Sequence, residues 1–182
     1  VVGAPCGLMD QLASSFGKPN ALLPIICQPD LLQEEITTPS DISFIGIDSG
    51  IRHQVAGASY SDVRCAAFMG YTILAQTFGV SKQDIARAKQ AQNFSTLPYK
   101  GYLSNITIAE FEKQFQPVLP NRMRGKDFPE KYGETIDAVT VIDKTKSYNI
   151  QHCTAHPVYE NNRVSLFKQH LGSLNTDIEI NR

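Results

Sequence analysis

Asp10 stands three residues after Gly7 in the run Gly3-Ala4-Pro5-Cys6-Gly7-Leu8-Met9-Asp10-Gln11, where a loop shaped by Pro and Gly turns directly into a helix. A helix start offers unpaired N–H groups and a partial positive charge, which hold a carboxylate ionised and attract anionic ligands beside it. An aspartate so placed suits a catalytic base; the alternative is an acid that only complements the helix dipole. Gly7, with no side chain, lets backbone approach a ligand closely. Cys6 at the same helix start would have a lowered thiol pKa and could act as a nucleophile, but the sequence indicates no partner His for it. Arg52 follows the turn Asp48-Ser49-Gly50 and is the candidate for stabilising charge on an anionic group, with a structural ion pair as the alternative. Its neighbour His53 reads as a capped or hydrogen-bonded residue. Tyr60 brings a phenol, both donor and acceptor, to the mouth of a second expected helix.

Other constellations lack the spacing that chemistry requires. His152-Cys153-Thr154-Ala155-His156 has metal-ligand types but no second cluster to complete a tetrahedral site, and reads as a loop leading into a final helix. No stretch reads Gly-x-x-x-x-Gly-Lys-Ser/Thr or Gly-x-Gly-x-x-Gly. A formal net charge of −1 argues against a nucleic-acid footprint, and the cluster Arg122-Met123-Arg124-Gly125-Lys126 is short enough to be a solvated loop. No apolar run approaches the ~18 residues needed to span a bilayer. The four cysteines, Cys6, Cys27, Cys65 and Cys153, are unpatterned, so reduced thiols and a cytoplasmic location are expected.

The 182 residues are 42% hydrophobic and 19% charged, enough to bury a core in one large domain or parts of two. The first stretch alternates helix and strand signals. Asp10 to Phe16 reads as helix stopped by Gly17, Lys18-Pro19-Asn20 as a turn, Ala21 to Cys27 as a strand with Pro24 at an edge or bulge, and Ile42 to Ile47 as a further strand. Ser59-Tyr60-Ser61-Asp62 resembles a capping box, and Val63, Ala67, Tyr71, Leu74 and Phe78 recur at helical spacing before Gly79, so a long helix is placed there. Ser81-Lys82-Gln83-Asp84 and Thr107-Ile108-Ala109-Glu110 start further helices, the second leading into Phe111 and Phe115. The stretch 116–133 reads as loop-rich, 138–142 and 147–150 as a hairpin about Asp143-Lys144-Thr145-Lys146, and Tyr159, Arg163, Leu166, Phe167 and His170 as a last helical stripe. The fold class expected is α+β.

Pro5-Cys6-Gly7-Leu8-Met9-Asp10-Gln11 resembles the second-half active-site motif of galactokinases and their relatives in the GHMP small-molecule kinase superfamily. Gly46-Ile47-Asp48-Ser49-Gly50-Ile51-Arg52-His53 continues the match. Ser59-Tyr60-Ser61-Asp62-Val63-Arg64 is similar to the segment whose Tyr hydrogen-bonds the sugar. Phe128-Pro129-Glu130-Lys131-Tyr132, Val139 to Asp143, Ser147-Tyr148 and His156 to Val164 look most like the L-arabinokinase branch. The Arg-rich strand and Glu-His-Thr/Asp turn that open these kinases, their Gly-Leu-Ser-Ser-Ser-type phosphate loop and their Gly-rich third motif are not found in the sequence. An internal fragment of a longer kinase is therefore expected.

The resemblance implies a GHMP kinase-like two-lobe fold, here incomplete, with residues 1–58 the end of the first lobe and 59–182 the interlobe helix and start of the second. It implies ATP-dependent phosphorylation of the anomeric hydroxyl of L-arabinose or D-galactose, with Mg2+, and no nucleic-acid or membrane partner. Asp10 is implied as the base or hydroxyl orienter, Arg52 as the charge stabiliser, Cys6 and Gly7 as backbone wall of the sugar pocket, and Tyr60 as a contact to a ring hydroxyl. Without the phosphate loop, the isolated chain is expected to be inactive. A sugar- and nucleotide-sensing regulator without turnover is the alternative.

Overall fold

A computed structural model describes residues 7–51 and 58–180, with side chains for 7–51 and 60–173. Cys6, Arg52 and His53 lie outside the described residues. Among the described residues, helices and three two-stranded antiparallel ribbons make the α+β mixture expected from the sequence. Among the described residues the chain divides into two units, one covering 58–162 and the other 7–51 with 163–180.

The smaller unit opens with α1, Met9–Phe16, which ends at Gly17 where its N–H donates to Ala13 O at 2.9 Å. The expected strand Ala21 to Cys27 is split into β1, Ala21–Leu22, and β2, Ile25–Ile26. Pro24 explains the break, since it has no N–H to give to a ladder, and its carbonyl instead accepts from Gln33 N at 3.0 Å. The chain turns back through β3, Leu31–Leu32, paired with β2, and β4, Ile36–Thr37, paired with β1 in the register Ala21↔Thr37. Residues 42–47, expected as a strand, form none and pair with no described strand; Ile45 is 82% and Ile47 89% exposed. β-branched residues favour a pleated surface only when another strand supplies it. The following Asp48-Ser49-Gly50 turn is present, with Gly50 N donating to Asp48 Oδ1 at 2.8 Å. Among residues 7–51 Pro39 alone is buried.

The larger unit is built on α2, Ala58–Thr77. It begins one residue ahead of Ser59, so Ser59 lies inside the helix rather than capping it. Its end matches the expectation: Gly79 takes φ +82°, the left-handed conformation that glycine adopts without strain. The apolar stripe read from the sequence is only partly the buried face, because Val63 and Phe78 are exposed while every residue of 69–75 is buried. A helix buried all round is a central element. It packs with Ile85, Phe111, Phe115, Phe128, Ile136, Tyr148, Ile150 and Val158.

Around it stand α3, Lys82–Ala91, with the full Ser81/Asp84 capping box, and α4, Ile108–Glu110, capped by Thr107 and continued by a π-helical turn over Phe111–Phe115. β5, Met123–Arg124, and α5, Asp127–Tyr132, punctuate the loop-rich stretch. The expected hairpin is replaced: β6, Ser147–Tyr148, pairs with β5, and residues 138–142 form no strand. The turn between them survives, with Lys146 N donating to Asp143 O at 3.2 Å. The final helix α6, Ile150–Ile180, starts before His152, so the His-Cys-x-x-His stretch is helical rather than a loop.

Candidate functional site

Asp10 lies in the first turn of α1, as its sequence position implies, and its side chain is exposed. Leu8 occupies the N-cap position without a side-chain cap, so the amides of this turn have no capping hydroxyl or carboxylate in front of them. A Cβ built on Gly7 meets no atom within 4 Å, so the backbone there is open to a ligand. Asp10 and Gly7 belong to the smaller unit, Tyr60 to the larger.

Tyr60 is half-buried in the first turn of α2, and the structure brings to its side residues the sequence did not single out. Arg64 follows one helical turn later. Its Nε donates to Asp137 Oδ2 at 3.1 Å and its Nη2 to Asp137 Oδ1 at 3.0 Å, a two-pronged pair that fixes the plane of the guanidinium. The guanidinium carbon lies 5.1 Å from the Phe68 ring centroid. Asp137 also accepts from Val139 N at 3.2 Å, from Thr140 N at 3.1 Å and from the Thr140 hydroxyl. Burial pushes the Asp137 carboxyl up, but Arg64, Thr140 and Val139 outweigh it and hold the group below the usual carboxylate range. The hydrogen bond with Asp137 raises Arg64 in turn against its burial, with a smaller contribution from the Tyr60 phenol.

A second, more exposed ion pair joins α2 to the 143–146 turn. Lys146 Nζ sits 2.8 Å from both oxygens of Asp62, a bond that raises the ammonium pKa. Burial pushes the Cys65 thiol up to about 11, against hydrogen bonds with Tyr148 and Thr140, so it stays protonated and is no nucleophile at neutral pH. The Tyr148 hydroxyl accepts from Asp143 N at 2.8 Å, tying the 143–146 turn to the same region. Chemically, the cluster is a rigid polar support with one half-buried phenol at its edge.

The signals for these partners were local. Arg64 closes the quoted Ser59–Arg64 motif one turn after Tyr60, and Asp137 precedes Val139 and Thr140 at the spacing with which an aspartate captures its own downstream amides. Among the described residues no group of three or more His, Cys, Asp or Glu side chains is placed to hold a metal ion. No Gly-rich turn there forms a phosphate cradle on the P-loop pattern. Among the described residues no helix is long and apolar enough to cross a membrane.

The comparisons with known proteins agree with the motifs. Over 99% of its length the chain is 38% identical to an L-arabinokinase of Arabidopsis thaliana, of which it covers 18%. A galactokinase of Chloroflexus aggregans is 36% identical over 43% of the chain and 20% of its own length. A galactokinase of Pyrococcus furiosus is 30% identical over 47% of the chain and 25% of its own length. No family model and no solved structure matches. The chain is thus similar to an L-arabinokinase along nearly its whole length and to galactokinases over less than half of it. It spans about a fifth of the length of these relatives.

Proposed function

We propose that this chain is the central part of an ATP-dependent sugar kinase that phosphorylates the anomeric hydroxyl of L-arabinose or D-galactose. The observation that carries the reading is the similarity to L-arabinokinase along nearly the whole chain, which takes in Asp10 and Tyr60. Residues 1–58 would end the first lobe of a two-lobe GHMP kinase fold and 59–182 begin the second. Phosphoryl transfer needs an acceptor hydroxyl held in line, charge stabilisation and a metal ion. In this reading Asp10 orients or deprotonates the hydroxyl, Cys6 and Gly7 line the sugar with backbone, Tyr60 holds a ring hydroxyl and Arg52 steadies the moving charge. ATP and Mg2+ would be held largely by loops outside the chain, in a cytoplasmic enzyme.

The exposed apolar residues of 42–51 support an incomplete unit, since contiguous exposed apolar surface marks a face that something covers. The test is to assay the complete protein with L-arabinose and D-galactose, following ADP release and the sugar 1-phosphate by 31P NMR. ATP-dependent product with either sugar supports the reading. No turnover of either sugar at millimolar concentration would overturn it.

A further inference from the structure

Two stretches that the sequence leaves as a solvated basic loop and an incomplete ligand set, 122–126 and 152–156, meet in the larger unit. β5 and β6 pair in the register Met123↔Tyr148 and Arg124↔Ser147, so Arg122 and Asn149 stand together one residue beyond the end of the ribbon. There the 116–122 stretch and the first turns of α6 border an open cleft of about 390 Å³, lined by Arg122, His152 and Tyr159 with the amide residues Gln116, Asn121 and Asn149. A cleft of this volume takes a small molecule.

Its walls are joined by protein alone. Gln151 N donates to Pro120 O at 3.2 Å and Gln151 Nε2 to Gln116 O at 2.9 Å, which ties one side of the cleft to the other. The Tyr159 ring stands edge-on to the fully buried Phe111, with centroids 6.2 Å apart. The polar groups, in contrast, are uncommitted. Arg64, Arg87 and Arg124 each hold an aspartate, whereas among the described residues no carboxylate pairs with Arg122 and the His152 ring makes no hydrogen bond. No residue lining the cleft is acidic. The Tyr159 O–H donates to Glu112 Oε1 at 2.7 Å, so its phenol oxygen keeps lone pairs with which to accept.

We propose that this cleft binds a small phosphate ester carrying free hydroxyls, of the sugar-phosphate class. The planar fork of Arg122 matches two oxygens of a phosphate, and a third oxygen remains for the His152 ring N–H, which a carboxylate does not offer. Hydroxyls both donate and accept, as do the amides of Gln116, Asn121 and Asn149, and the Tyr159 oxygen adds one more acceptor. An apolar ligand would leave these groups unpaired, and a cation would face Arg122. The cleft shares no residue with Asp10 or Tyr60, and the assignment of its ligand does not rest on the kinase reading.

Equilibrium dialysis of radiolabelled ribose 5-phosphate against the complete protein tests it, with unlabelled inorganic phosphate, ribose and gluconate as competitors. Ribose 5-phosphate should bind at millimolar concentration or below, inorganic phosphate and gluconate should compete about 10-fold more weakly, the worth of one or two lost hydrogen bonds, and ribose should not compete. Arg122→Gln, at an exposed and unpaired position, should weaken binding about 10–100-fold, the range of a charge-assisted hydrogen bond. Tyr159→Phe keeps the ring against Phe111 and should weaken it about 3–10-fold. No binding at millimolar concentration, or binding undiminished in an Arg122→Gln protein of unchanged Tm, would overturn the proposal. Inorganic phosphate competing as well as the ester would refute the hydroxyl contacts, and gluconate competing as well would refute the choice of phosphate.

Discussion

Gly70 lies on the buried stretch of α2, and an added Cβ there would stand 1.7 Å from Thr154 Oγ1, 2.9 Å from Thr154 Cβ and 3.0 Å from Thr154 Cγ2. Heavy atoms in good contact sit about 3.5–4.0 Å apart, so Gly70→Ala requires Thr154 to turn away or α2 and α6 to separate. Turning is costly, because Thr154 is fully buried and its hydroxyl donates to Ile150 O at 2.7 Å; it would also leave the 2.9 Å contact to Cβ. Overpacking costs about 1–3 kcal/mol and the lost hydrogen bond about 1 kcal/mol, against a gain of about 1 kcal/mol in helix propensity. The net expectation is a loss of about 1–3 kcal/mol, or roughly 2–12 °C in Tm for a chain of this size. Thermal and urea unfolding of Gly70→Ala, followed by circular dichroism, measures it. Adding Thr154→Ala removes Oγ1 and Cγ2, so the double variant should be more stable than the two single losses added together. An unchanged or raised Tm in Gly70→Ala would refute the close approach of α2 and α6.

Asp137→Asn should lower the urea midpoint by the equivalent of about 2–4 kcal/mol, because it leaves the partly buried Arg64 charge without its counter-ion. The Asp137 carboxyl is held below its ordinary pKa, so its stabilisation is present above about pH 4 and is lost as pH falls through the folded-state value. Acid titration of stability should therefore be flatter in Asp137→Asn than in the parent chain. The raised Cys65 pKa has the opposite sign: its contribution is present below about pH 8.5 and is lost as pH rises toward about 11, so the Cys65→Ala variant should lose less stability over that window. In a short iodoacetamide pulse at pH 7.5, peptide mapping should find exposed Cys27 alkylated and buried Cys65 and Cys153 spared. Labelling of Cys65 at the rate of Cys27 in folded chain would contradict its burial.

Local signals proved the legible ones. Ser81 with Asp84, Thr107 with Glu110, and Gly79 after a long apolar helix each announce a helix end through groups within four residues, and the structure places those ends there. Strands were less legible, because a strand is completed by a partner that its own sequence does not name. Ile42 to Ile47 has the composition of a strand and pairs with no described strand, while Ser147-Tyr148 pairs with the distant Met123-Arg124 rather than with its neighbour 138–142. The start of α6 was hidden because His152 to His156 reads as loop and Ile150 as the end of a strand, although tertiary packing of Ile150, Cys153 and Val158 carries the helix through them. For the candidate site, Asp10 and Tyr60 were placed at helix starts by sequence and stand there. Arg64 and Asp137 were not paired in advance, since 73 residues separate them and only the fold joins them.

The central claim is that Asp10 does chemistry on a sugar hydroxyl, and the most direct measurement is kcat of the complete kinase carrying Asp10→Asn, taken with sugar affinity and Tm on the same protein. The account predicts a fall in kcat of about 10²–10⁴-fold with sugar binding largely retained, the signature of losing a group that acts on the reacting proton. Near-normal turnover with only a small loss of stability would contradict it and leave Asp10 as an acid that complements the α1 dipole.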